Sequence, residues 1–82
     1  MTDTFDKVTM FGADWCRDCI RSKALLERLG TDYDYIDLVE RPEEADRAKA
    51  ISGRTNIPVV VFPDGRHFTE PSDQELEAAL AQ

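Results

Sequence analysis

Basic side chains, histidine and long apolar runs are scarce in this chain, and each shortage closes off a class of function. Ten Lys and Arg stand against 17 Asp and Glu, a formal charge of -7, so a nucleic-acid phosphate backbone or an anionic membrane surface is repelled on average. No unbroken apolar stretch, Val59-Val60-Val61-Phe62 included, comes near the roughly 20 residues that cross a bilayer. Met1 to Lys7 is acidic and polar, without the basic start and the apolar run of about 7 to 15 residues that make a secretory signal. The expected compartment is the cytoplasm. A closed zinc site takes about four N or S donors, and the chain offers Cys16, Cys19 and a lone His67, so zinc would need a second chain or an external thiol. No bound metal is expected. The 82 residues are expected to form one domain, residues 1–82, burying roughly 60 to 65% of the surface of the unfolded chain. That is too small a body for a large enclosed site. Repeats, low-complexity tracts and linkers are missing too.

What the chain does have is a pair of cysteines three apart, in Trp15-Cys16-Arg17-Asp18-Cys19, where an apolar run, Val8 to Phe11, gives way to a helical pattern from Ile20 to Leu29. In a reducing cytosol such a pair is catalytic or metal-binding rather than a permanent staple. By itself the spacing is open between redox chemistry, half a zinc site and a structural disulfide. Its placement points to redox. If the helix starts at Cys16, that sulfur lies beside unpaired backbone amides at the positive end of the helix dipole, which favours the thiolate. The thiolate attacks disulfides, and a thiol three residues on can resolve the mixed disulfide by closing an internal one. Arg17 and Arg21 support the thiolate and Asp14 and Asp18 oppose it, but exposed charges act weakly through water. The helix terminus is expected to dominate and to hold the Cys16 thiol below the free value of about 8.5.

The rest of the chain reads as alternating strands and helices. Gly12-Ala13-Asp14 is the loop that delivers Cys16. Ile20, Ala24, Leu25, Leu26 and Leu29 make the expected buried stripe of the first helix, with Arg21, Glu27 and Arg28 facing water, and Gly30 stops it. Tyr33 to Val39 suits a second strand, parallel to the first. Pro42 fits the first turn of a second helix, with Glu43 and Glu44 at its positive end, Ala45, Ala48 and Ile51 as its apolar stripe and Gly53 as its stop. Val59 to Phe62 is a central strand covered on both faces. Pro63-Asp64-Gly65 turns the chain into an edge strand near Arg66 to Thr69, and Ser72 with Glu75 forms a capping box for a last helix whose Leu76, Ala79 and Leu80 face inward.

A CxxC on a strand-to-helix turn, with Ile57-Pro58 immediately before the third strand, resembles the thioredoxin superfamily, and the short strand-first order is similar to its glutaredoxin branch over nearly the whole chain. The resemblance implies an α/β thioredoxin-like fold: a four-stranded mixed sheet flanked by three helices, in the order β1-α1-β2-α2-β3-β4-α3. It also implies a cis bond at Ile57-Pro58, facing the cysteines, with Ile57 offering its backbone to substrate. The usual glutathione-binding features of glutaredoxins are a lysine before the first cysteine, an aromatic within the CxxC and a Gly-Gly pair after the fourth strand. Here Ala13-Asp14-Trp15, Arg17-Asp18 and Phe68-Thr69-Glu70-Pro71-Ser72-Asp73 stand in those places. Trp15 before Cys16 and the Thr-x-Pro-Ser run are instead similar to mycoredoxins, which reduce mixed disulfides of mycothiol.

The expected function is therefore a thiol-disulfide oxidoreductase of the glutaredoxin and mycoredoxin type. It acts on mixed disulfides between proteins and a low-molecular-weight thiol, mycothiol ahead of glutathione, which serves as co-substrate with no cofactor bound. Cys16 and Cys19 are the expected catalytic pair, with Cys16 exposed at the helix entrance opposite residues 57 and 58. Trp15, Arg17, Ile57, Pro58, Ser72 and Asp73 are the expected substrate contacts. Trp15 is equally well read as a partly buried anchor of its loop, Ser72 is explained by capping alone, and His67 is assigned no role. Partners are S-thiolated or disulfide-containing proteins, the small thiol and a disulfide reductase, not nucleic acid or membrane. Two other readings remain. One is a hydrogen donor for ribonucleotide reductase, fed by thioredoxin reductase; such donors usually carry a glutamine in the CxxC and an aromatic C-terminal motif. The other is an iron-sulfur cluster carrier acting as a dimer.

Overall fold

Alternation along two neighbouring strands sets up the molecule. In the computed structural model, which describes residues 5–81, β1 (Val8–Gly12) is buried along its whole length. Its side chains divide between the two faces of the sheet, as they must in a pleated strand. Val8 and Met10 join one core with Leu25, Leu26, Val60, Phe62, Leu76 and Ala79, while Phe11 joins another with Ile36, Ala48, Val59 and Val61. The strand β3 (Val59–Val61) divides in the same way, which is why its sequence is apolar without a break. Residues 1–4 of the polar N-terminal stretch and Gln82 lie outside the described residues.

The four strands order as β2-β1-β3-β4, with β2 at Tyr33–Asp37 parallel to β1, β3 antiparallel to β1 and β4 (His67–Thr69) antiparallel to β3. Helices α1 (Arg17–Arg28) and α3 (Asp73–Leu80) cover the first core, and α2 (Glu44–Ser52) covers the second. The order β1-α1-β2-α2-β3-β4-α3 and the mixed sheet are those expected. Register decides where function sits. Phe11 pairs with Val59 and Val59 with Thr69, so the end of β1, the start of β3 and the end of β4 lie at one end of the sheet.

Several local expectations are corrected. The buried side of α1 is Cys19, Ser22, Leu25 and Leu26, whereas Ile20, Ala24 and Leu29 are exposed, because the helix is turned to press Cys19 against the sheet. Strand β2 ends at Asp37 rather than Val39, where the Asp37 carboxylate accepts the Val39 amide at 2.9 Å and folds the chain into a turn. Pro42 lies in a turn ahead of α2, its carbonyl accepting the Ala45 amide at 3.1 Å, and Ala45 is exposed while Ala48 is buried and Ile51 half-buried. Arg47 covers that side instead, its guanidinium 4.7 Å from the Phe5 ring centre. The stops hold: Gly30 and Gly53 take φ of 69° and 78°, a region where a Cβ is costly. The Ser72 and Glu75 capping box is complete.

Candidate active site

Cys16 is the N-cap of α1. Its backbone is extended, and its sulfur accepts the Cys19 amide at 3.2 Å, taking one of the orphan donors that a Ser or Asp would otherwise satisfy. A negative sulfur here faces the positive helix end. The loop before it is braced by the Cys16 amide donating to the Ala13 carbonyl at 3.1 Å. Across the site the Cys16 thiol donates to the Ile57 carbonyl at 3.8 Å, and the Ile57-Pro58 bond is cis. Both cysteines are thiols.

Exposure separates the two cysteines. Cys16 is 8% exposed and Cys19 1%. The expectation of an exposed Cys16 sulfur is corrected to a sulfur on the floor of an open groove, held down because it caps the helix and contacts the Ile57 carbonyl. Burial and the neighbouring Cys16 sulfur push the Cys19 thiol up to about 12, so Cys19 is a protonated reserve at neutral pH while Cys16 meets the groove.

The groove has a volume of about 360 Å³, within the range for a small ligand. Trp15, Cys16, Arg17 and Asp18 form the α1 side, and Thr55, Asn56, Ile57 and Glu70 the other. Trp15 is 73% exposed, so it stands over the groove rather than anchoring its loop. Pro58 is fully buried behind Ile57. Ser72 and Asp73 are not brought to the groove: the Ser72 hydroxyl accepts the Glu75 amide at 3.1 Å, and Asp73 lies 3.5 Å from the Arg21 guanidinium. Arg21 faces water as expected, but its guanidinium is committed to other groups. It donates to Asp18 at 3.1 Å and to the Pro71 carbonyl at 3.0 Å, tying the first turns of α1 to the entry of α3. His67 is exposed on β4. No cluster of three metal-ligating side chains exists among the described residues.

Three groove residues were not anticipated from sequence: Thr55, Asn56 and Glu70. Thr55 and Asn56 directly precede Ile57-Pro58, a position that could have flagged them. Glu70 carries no such signal. It takes φ of 51° although it is not a glycine, and it is fixed there by its amide donating to the Pro58 carbonyl at 2.9 Å and its carboxylate accepting from the Asn56 side chain at 3.0 Å. A strained residue so tied beside a nucleophile fits the tendency of strain to gather at working sites.

Comparison with known proteins finds likeness over most of the chain. The glutaredoxin family model matches residues 8–68. Mycoredoxin 1 of Corynebacterium glutamicum is 35% identical over 75 residues, 89% of this chain and 91% of its own. Among solved structures, the glutaredoxin Grx-1 of Archaeoglobus fulgidus superposes with a TM-score of 0.83 at 28% identity, covering 93% of this chain and 87% of its own. The NrdH-redoxin of Escherichia coli superposes with a TM-score of 0.75 at 24% identity, over 88% of this chain and 92% of its own, a likeness of fold alone. No helix among the described residues is long and apolar enough to cross a membrane.

Proposed function

The chain belongs to the glutaredoxin family and is a thiol-disulfide oxidoreductase of the glutaredoxin and mycoredoxin type; from that premise we propose that it reduces mixed disulfides between proteins and a small thiol, mycothiol ahead of glutathione. The observation that carries the reading is a pair of unequal sulfurs, one capping a helix on a groove floor and one sealed behind it. The Cys16 thiolate attacks the small-thiol sulfur of the mixed disulfide. That sulfur's bond to the protein breaks, the client leaves as a thiolate that takes up a proton, and the small thiol stays on Cys16. A second small thiol then displaces it as a symmetrical disulfide, or Cys19 gives up its proton and attacks Cys16, expelling the small thiol and leaving an internal disulfide. The electron count is two in either route.

Trp15, Arg17 and Ile57 are the proposed substrate contacts that the groove gathers; Pro58, buried behind Ile57, is proposed to act by holding Ile57 in place, and Ser72 and Asp73 only from behind, by fixing the start of α3. Mycothiol is favoured on two grounds. Arg17 is the one cationic side chain among the residues lining the groove, too little to hold the two carboxylates of glutathione, so the groove better suits a hydroxyl-rich, uncharged thiol. The likeness to mycoredoxin 1 points the same way. The protein is proposed to act as one domain in the cytoplasm on S-thiolated clients, and the disulfide left by each cycle, of the small thiol or of Cys16 with Cys19, is reduced in turn by a disulfide reductase. One client protein carrying either a mycothiol or a glutathione mixed disulfide, with thioredoxin reductase as a third lane, tests this. We expect the mycothiol form to be reduced at least tenfold faster. Equal rates would overturn the thiol assignment, and turnover driven by thioredoxin reductase alone would favour the hydrogen-donor reading.

A further inference from the structure

Gly12 ends β1 in the core, its carbonyl accepting the Leu38 amide at 2.9 Å. A Cβ placed there would stand 3.1 Å from the Cys19 sulfur, 3.2 Å from the Cys19 Cβ and 3.3 Å from the tip of Met10. The Met10 tip swings aside easily. The cysteine does not, because its Cβ is fixed to the first turn of α1 and its sulfur has little free space at 1% exposure. The space a side chain would fill at residue 12 is thus occupied by Cys19.

We infer that Gly12 is a positioning residue for the resolving step: by having no side chain it seats the Cys19 thiol under Cys16, and residue 12 thereby sets the balance between the dithiol and the Cys16–Cys19 disulfide. This rests on the oxidoreductase reading above. In the step concerned, the Cys19 thiolate, its proton passed to water, attacks the Cys16 sulfur of the mixed disulfide. The bond from Cys16 to the small thiol breaks, and the small thiol leaves and takes up a proton, so one disulfide is consumed for each one made. Disulfide geometry tolerates little displacement. A methyl at residue 12 meets the sulfur where it sits in the dithiol; on this inference, bonding draws that sulfur towards Cys16 and off the methyl. The Cβ contact is common to both states and cancels.

Gly12→Ala, equilibrated in a glutathione redox buffer and read by mass spectrometry, is expected to shift at least threefold towards the internal disulfide, about 14 mV more reducing. By the same cycle the substitution should lower the stability of the reduced protein more than that of the oxidised one. No shift, or a shift towards the dithiol, overturns the inference. Should Gly12→Ala not fold, Gly12→Ala with Cys19→Ala is the arbiter: folding as well as Cys19→Ala alone supports the seat, and failure overturns it. The equilibrium needs no turnover, so a protein that forms this disulfide yet reduces no mixed disulfide refutes the proposed function and not the role of Gly12.

Discussion

Three side chains, Ser22, Cys19 and Tyr33, decide how the fold responds to change. The Ser22 hydroxyl is fully buried and has no hydrogen-bond partner among the described residues; an unmet buried hydroxyl costs about 1–3 kcal/mol, and alanine is the better helix former. Ser22→Ala is therefore expected to stabilise the protein by about 1 kcal/mol, a rise of roughly 4–8 °C in melting temperature for a domain of this size. A lower melting temperature would mean that the hydroxyl is satisfied. Alkali acts through the second side chain, Cys19, and through Tyr33. Burial and the Glu27 carboxylate, 2.7 Å from the Tyr33 hydroxyl, push that phenol up to about 12, as burial does Cys19. A folded-state value above the unfolded one means that stability is complete below the unfolded values, about 8.5 for a thiol and 10 for a phenol, and is lost as pH rises towards 12. Urea unfolding of the reduced protein between pH 8 and 12 should show this fall, and Tyr33→Phe should make it shallower above pH 10. A fall equally steep in the variant would remove Tyr33 from the cause.

At the scale of elements, α1 does two jobs, presenting its amides to the Cys16 sulfur that caps it and roofing a core, and its orientation follows from the second. Leu25→Ala should cost about 2–5 kcal/mol, whereas Ile20→Ala, on the exposed face, should stay within about 0.5 kcal/mol. Equal losses in thermal unfolding would mean that Ile20 is buried. The periodic pattern of Ile20, Ala24 and Leu29 suggested the opposite for Ile20, because apolar residues surround more than half of this helix and periodicity alone does not say which arc meets the sheet. The seat of Cys19 against Gly12 settles it. Features that depend on neighbours in sequence were legible: the glycine stops, the Ser72 capping box, the unbroken β3 and the CxxC at a helix start. Arg21 and Glu70 were not. Arg21 meets Pro71 and Asp73 only once α3 is docked, and Glu70 meets Asn56 only once β4 has paired with β3.

The molecule as a whole places its chemistry by register. Pairing β3 antiparallel to β1 and β4 antiparallel to β3 carries the Cys16 loop, the cis Ile57-Pro58 bond and Glu70 to one end of the sheet, while the two cores hold that end rigid from both faces. A net charge of -7 repels anionic surfaces on average. The proposed mechanism has Cys16 take the small thiol and release the client. The Cys19→Ser variant lacks the resolving thiol and should hold that intermediate. Mixed with a mycothiolated client and examined by intact mass within the first turnover, it is expected to carry one mycothiol on Cys16 beside fully reduced client, while Cys16→Ser carries none and leaves the client modified. A covalent complex of Cys16 with the client, or client reduced by Cys16→Ser, would contradict the mechanism.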